Sequence, residues 1–165
     1  MEIVHRTGSH FDFDDAAARR LIEDLLSLPL FAHLSTASDE GPRDSPVWFL
    51  WEDGALWIIG NRKTDSFPKR IAREPRCAVG VVNFDPATGL VRHVGFRGRA
   101  YLEPHDRARM TRLLTRYMGD PADWDTRFVE ILDDEDYAFV RFVPEKAVAR
   151  DQSYHRGTET RQEHS

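Results

Sequence analysis

Residues 60 to 71, Gly-Asn-Arg-Lys-Thr-Asp-Ser-Phe-Pro-Lys-Arg-Ile, gather the most readable chemistry of this chain. Arg62, Lys63, Lys69 and Arg70 surround a Ser-Phe-Pro step, although the chain as a whole carries a net charge of −5. Ser66 reads as the cap of a helix running to about Arg73, with Pro68 in its first turn, where a missing N–H costs nothing. The free amides and dipole of such a helix start suit a phosphate. Arg62, Lys63 and Lys69 could neutralise it through charge-assisted hydrogen bonds, with Thr64 and Ser66 adding hydroxyls. A solvated loop with an ordinary capped helix is the competing reading, and no Walker-type glycine pattern separates the two.

Other groups with chemical potential are scattered. His33 and His93 fall on predicted strands, where a proton donor and an idle surface histidine are both open. Their spacing to Asp and Glu makes no ligand set, so no metal site is expected; a haem would need one of these histidines as its axial ligand. Cys77, the only cysteine, sits in an apolar run and reads as an inert small hydrophobe. One cysteine permits no internal disulfide, which agrees with a reducing cytoplasm.

The elements that must position these residues follow from periodicity. Ala18, Leu21, Ile22 and Leu25 predict a helix over 14–28, stopped by Pro29. "LFAHLSTA", "RDSPVWFLW" and "ALWIIG" read as three strands in meander order, the second apolar on both faces and joined to the third by an Asp-Gly turn. "RCAVGVVNF" and "LVRHVGFRGRAYLEP" follow. In the latter, Leu90, Val94, Phe96, Ala100 and Leu102 form the apolar face, and Gly95 and Gly98 suit bulges. A helix over 105–118, a short helix in "WDTRFVEIL" and a last strand "YAFVRFVP" complete the series. Mostly antiparallel strands with flanking helices give an α+β, Greek-key-like barrel.

With 165 residues the chain fits one domain. We expect it to occupy 1–150, followed by a polar tail over 151–165 that is disordered from about residue 155. The acidic balance excludes a general nucleic-acid binder and disfavours an anionic membrane surface. The N-terminal residues lack the apolar core of a secretory signal, and a cytoplasmic protein is expected.

Strands bearing "SPVWFLW" and "LWIIG" would set an apolar wall beside the basic loop, which suits a planar cofactor with a phosphate tail. In "LSTASDEGPRDSPVWFLWEDGALWIIG", "SFPKRIAREPRCAVGVV" and "VGFRGRAYLE" the chain resembles the FMN-binding split-barrel superfamily, which includes the pyridoxamine 5'-phosphate oxidases. The resemblance spans roughly residues 28 to 145 and implies a split β-barrel that works as a homodimer. It further implies FMN in a groove between subunits and hydride or electron transfer to an unidentified small substrate. By the same resemblance Ser45, Pro46, Val47 and Trp48 line the flavin ring, and Ile59 and Gly60 lie at the ribityl chain. Arg62, Lys63, Ser66 and Lys69 meet the phosphate. No catalytic side chain is implied, because the flavin does the chemistry. The substrate-holding C-terminal segment of true pyridoxamine phosphate oxidases is absent from "AVARDQSYHRGTETRQEHS", which argues against vitamin B6 oxidation. A deazaflavin-dependent reductase, a non-catalytic flavin or haem carrier or sensor, and a dimeric barrel with no cofactor are the alternatives.

Trp51 and Trp57 are expected in the core, Trp124 as a helix anchor, and Arg150, Asp151 and Gln152 as a C-terminal clasp or a contact across the dimer.

Overall fold

A computed structural model of the chain describes residues 1–4 and 15–155. Helix α1 (Asp15–Ser27) forms because Ala18, Leu21, Ile22, Leu25 and Leu26 recur at helical spacing, and all five are buried. The expected start at 14 lies outside the described residues, and the helix ends just before the predicted position.

Among the described residues, eight strands build one sheet: β1 (Glu2–Ile3), β2 (Ala32–Thr36), β3 (Arg43–Val47), β4 (Leu50–Glu52), β5 (Ala55–Asn61), β6 (Arg76–Asp85), β7 (Leu90–Glu103) and β8 (Tyr137–Asp151). Their order is β3-β2-β6-β7-β8-β5-β4, with β1 added to β8 as the parallel member. The other pairings are antiparallel. Among the described residues, four helices flank the sheet: α1, α2 (Ser66–Arg73), α3 (Arg107–Met118) and α4 (Thr126–Glu130). The fold is the α+β split barrel expected from the sequence.

The meander expected at its start does not exist. "RDSPVWFLW" is two strands, and β3 lies at one end of the strand order while β4 lies at the other. Only Trp48 and Phe49 separate them. Val47 and Leu50, three Cα steps apart, lie at most about 11 Å from each other, so the sheet must curl until its two edges approach. The corner is pinned at its centre. Phe49 is fully buried, its N–H donates to the Tyr117 hydroxyl (3.1 Å), and that hydroxyl donates to Leu30 O (2.7 Å). An unbroken apolar run thus hides a strand break, because both the strands and the corner between them need apolar residues.

Asp53 and Gly54 both take positive φ, 54° and 70°, the geometry of a tight two-residue hairpin turn between β4 and β5. Leu56 and Ile58 of β5 pack into one core with α1 and β6. Ala55 and Trp57, pointing the other way, pack into a second core with α3, Trp124 and Leu132. Burial on both faces explains the continuous apolar sequence of this strand.

In β7, Val94, Phe96 and Ala100 are buried as expected, but Leu102 is 43% exposed. The register shifts between Arg97 and Gly98, and β7 continues regularly past Gly95, where a second bulge was expected. Strand β8 runs to Asp151, well past the segment read as a strand, because β7 pairs along its whole length. Beyond it, Gln152 N–H donates to Val91 O and Tyr154 N–H to Gly89 O. The tail expected to be disordered lies almost wholly outside the described residues. No helix among those described is long and apolar enough to cross a membrane.

Candidate functional site

The curled sheet leaves a groove of about 440 Å³ where its edges approach. Phe31, Pro46, Val47 and Trp48 line it from the β2–β3 edge, Ile59 from β5, Asp65 and Phe67 from the start of α2, and Leu113, Leu114, Phe128, Ile131 and Tyr137 from the elements beyond. Three of the expected ring-binding residues, Pro46, Val47 and Trp48, therefore meet Ile59, expected at the ribityl chain, in one place. They meet by closure of the barrel rather than by strand pairing. Ser45 is half-buried on β3, paired with Leu34, and does not line the groove.

Trp48 is already in aromatic company. Its ring stacks on Tyr117, with centroids 4.7 Å apart and planes 4° from parallel. Phe128 lies 5.7 Å away at 22°. These contacts hold the indole rigidly, each worth about 0.5–1.5 kcal/mol beyond its area.

Gly60 is shaped by packing. A Cβ there would lie 2.8 Å from Phe67 Cζ and 3.1 Å from Pro68 Cγ, so its missing side chain lets α2 rest directly on β5. Asp65, not Ser66, is the N-cap of α2; its carboxylate accepts from Asn61 N–H (2.7 Å) instead of capping the first-turn amides. Ser66 is the first helical residue and its Oγ accepts from Arg70 Nη1 (2.7 Å). Pro68 falls in the first turn, as expected.

The basic loop is stitched to itself and to its neighbours. Asn61 Oδ1 accepts from Lys63 N–H (2.9 Å) and Thr64 N–H (3.0 Å). Lys63 Nζ pairs with Asp136 (2.6 Å), and that carboxylate raises the pKa of the ammonium. Lys69 Nζ donates to Lys63 O (2.8 Å), and Arg62 Nη2 donates to Glu103 O (3.1 Å). None of these bases lines the groove, and Asp65 is the charged side chain that does. The bases stand exposed beside it.

The remaining candidates find structural partners. Trp57 is 8% exposed, donates from Nε1 to Glu52 O (3.1 Å) and lies under the Arg109 guanidinium at 3.6 Å. Trp51 packs against the first core and Trp124 is buried in the second. His33 Nδ1 is 2.9 Å from Asp44 Oδ2 on the exposed surface. His93 is half-buried opposite Val82 and Arg150. Asp151 pairs with Arg92 (2.9 Å), so the C-terminal clasp is an ion pair within one chain. Burial pushes the Cys77 thiol up to about 11.

Sequence reading missed Phe31, Asp65, Phe67, Tyr117, Phe128 and Tyr137 as neighbours of the groove. They come from five separate elements, and no periodicity links them. Arg70 was noticed in the loop but given no role; its bonds to Ser66 and Thr36 show where it reaches.

No protein-family model matches the chain and no curated protein matches it. Solved structures do. The conserved hypothetical protein Rv2991 of Mycobacterium tuberculosis superposes with a TM-score of 0.67 at 19% identity, covering 89% of this chain and 90% of that one. An F420 reductase gives 0.60 at 24% identity over 76% of this chain and 94% of its own. A putative pyridoxamine 5'-phosphate oxidase from Listeria innocua gives 0.59 at 18% identity over 81% and 96%. Identities this low speak to fold alone. The fold of this chain is the split barrel that these structures share.

Proposed function

We propose that this protein is an FMN-dependent oxidoreductase of the pyridoxamine 5'-phosphate oxidase-like type. The observation that carries the reading is the meeting of Pro46, Val47, Trp48 and Ile59 in one apolar groove beside the start of α2. A flat ring gains apolar contact there, and the indole of Trp48, already held by Tyr117, costs little to order on binding. The groove-lining residues fit a flavin ring by chemistry: aromatic and aliphatic walls, with Asp65 and Tyr137 as polar groups among them. When bound, a flavin supplies hydride or electron transfer to a small substrate.

Arg62, Lys63, Ser66 and Lys69 would hold the phosphate, Ser45 would offer backbone to the ring and Gly60 to the ribityl chain. Lys63 and Arg62 make exposed contacts that solvent screens. Exchanging these for a doubly charged phosphate is favourable. A second copy of the chain would cover the open side of the groove. Val82 and Phe84, two apart on β6 and 52% and 57% exposed, supply apolar surface for such a homodimer.

One feature favours a second reading. Asp65 puts a carboxylate on the groove wall, which suits a neutral or cationic planar molecule better than a phosphorylated one and fits a non-catalytic carrier or sensor. Titration of purified protein with FMN, followed by quenching of flavin and tryptophan fluorescence, tests the first reading. Replacing both Arg62 and Lys63 by Ala then weakens FMN without weakening riboflavin. Absence of any flavin quenching rejects it. Flavin that binds but is not reduced by a nicotinamide supports the carrier.

A further inference from the structure

We propose that the cleft between the β2–β3 turn and α2 is a binding site for a phosphate monoester, held by Arg43, Arg70 and Arg73. The cleft has a volume of about 440 Å³ and is separate from the apolar groove. Arg70 and Arg73, three apart on α2, share a helical face. Arg43 lines the cleft from the start of β3, and the Ser38 hydroxyl there already donates to Gly41 O.

Once the ion pairs of this cleft are counted, Arg70 and Arg73 face a single remaining acid, a surplus of one positive charge. Glu40 pairs with Arg43. Glu74 is taken by Arg76, which lies outside the cleft lining and holds that carboxyl down at about 2. Asp39, exposed on the rim, is the remaining acid. Among the described residues neither Arg70 nor Arg73 has a carboxylate partner.

Arg70 is also held in an unusual way. Its Nε donates to Thr36 Oγ1 (2.7 Å) and its Nη1 to Ser66 Oγ (2.7 Å). Thr36 is 2% exposed, so this anchor is fixed in the barrel wall. Attraction to the C-terminal end of the helix dipole would favour a cation near Arg73. It does not explain a guanidinium folded back by one turn toward Ser66. Two neutral hydroxyls orient the fork without neutralising it, which leaves its charge for an anion.

The cleft binds phosphate whether or not the groove takes a flavin; only the source of the phosphate rests on that reading. It could be the tail of the flavin or a separate phosphorylated small molecule.

The test is calorimetric titration of the full chain with inorganic phosphate, at ionic strength held constant with chloride. Arg73→Ala, on the exposed end of α2, is expected to weaken phosphate about tenfold. Arg70→Lys, which keeps the charge but loses the fork, should also weaken it. Arg107→Ala, an exposed arginine of α3 that lines neither the cleft nor the groove, should not. Circular dichroism checks each fold, and Arg73→Ala alone suffices if Arg70→Lys fails to fold. Phosphate heats no different from chloride, or equal affinity in wild type and Arg73→Ala, overturn the site.

A parallel comparison of FMN with riboflavin separates the sources. Loss of FMN preference in Arg73→Ala places the flavin tail in the cleft. Phosphate binding with that preference unchanged points to a second phosphorylated ligand. Phosphate binding with no flavin binding at all keeps the cleft and rejects the flavin reading.

Discussion

Trp48 lies flat against Tyr117 with ring centroids 4.7 Å apart, and the same Tyr117 closes the strand corner beside it by accepting from Phe49 N–H and donating to Leu30 O. One side chain thus joins α3, the barrel corner and the candidate ring-binding wall.

Removing only that hydroxyl should be costly. Tyr117→Phe keeps the stack but leaves the N–H of the buried Phe49 without its partner, a loss of about 1–3 kcal/mol. Urea denaturation should show a lower midpoint with an unchanged slope. A midpoint equal to wild type would mean that the corner holds itself.

Gly60→Ala forces a methyl to within 2.8 Å of Phe67 Cζ. Overpacking of this kind costs about 1–3 kcal/mol. Adding Phe67→Leu should recover much of the loss, so the two substitutions couple in a double-mutant cycle. Additive effects would show that α2 does not rest on this glycine.

Glu74 sets part of the acid response. The hydrogen bond from the Arg76 side chain, then that from its backbone N–H, lowers this carboxyl from 4.5 to about 2. The folded state favours the ionised form, so the contribution is complete above about pH 4.5 and disappears as pH falls toward 2. Glu74→Gln should flatten the stability curve in that window and leave its shape at neutral pH unchanged. An identical acid limb in the variant would refute the assignment.

Cys77 should resist thiol reagents. It is 7% exposed, and burial, with a smaller contribution from Glu74, keeps its thiol protonated at neutral pH. Disulfide-exchange labelling at neutral pH should proceed only on unfolding, and rapid labelling of native protein would contradict this.

Much of the local structure was legible in the chain. The stripe from Ala18 to Leu25 specifies α1, the Asp53-Gly54 pair specifies its hairpin, and alternation in β7 predicts Val94 and Phe96 inside. These are short-range consequences of side-chain spacing and backbone sterics. The break between β3 and β4 was not legible, since Trp48 and Phe49 are as apolar as the strands on either side. What turns the chain there is a hydroxyl 68 residues away.

The same division runs through the site. Residue types alone established an apolar wall, a basic loop and a helix starting near Ser66, because hydrophobicity, charge and proline geometry are properties of the residues themselves. Curling of the sheet decided that Val47 and Ile59 share a groove although their strands never pair. It also turned Asp65 toward that groove while Lys63 and Lys69 found partners elsewhere, and it set Arg70 against Thr36. Those outcomes depend on closure of the barrel and on competition among hydrogen-bond partners distant in sequence, which no local pattern encodes.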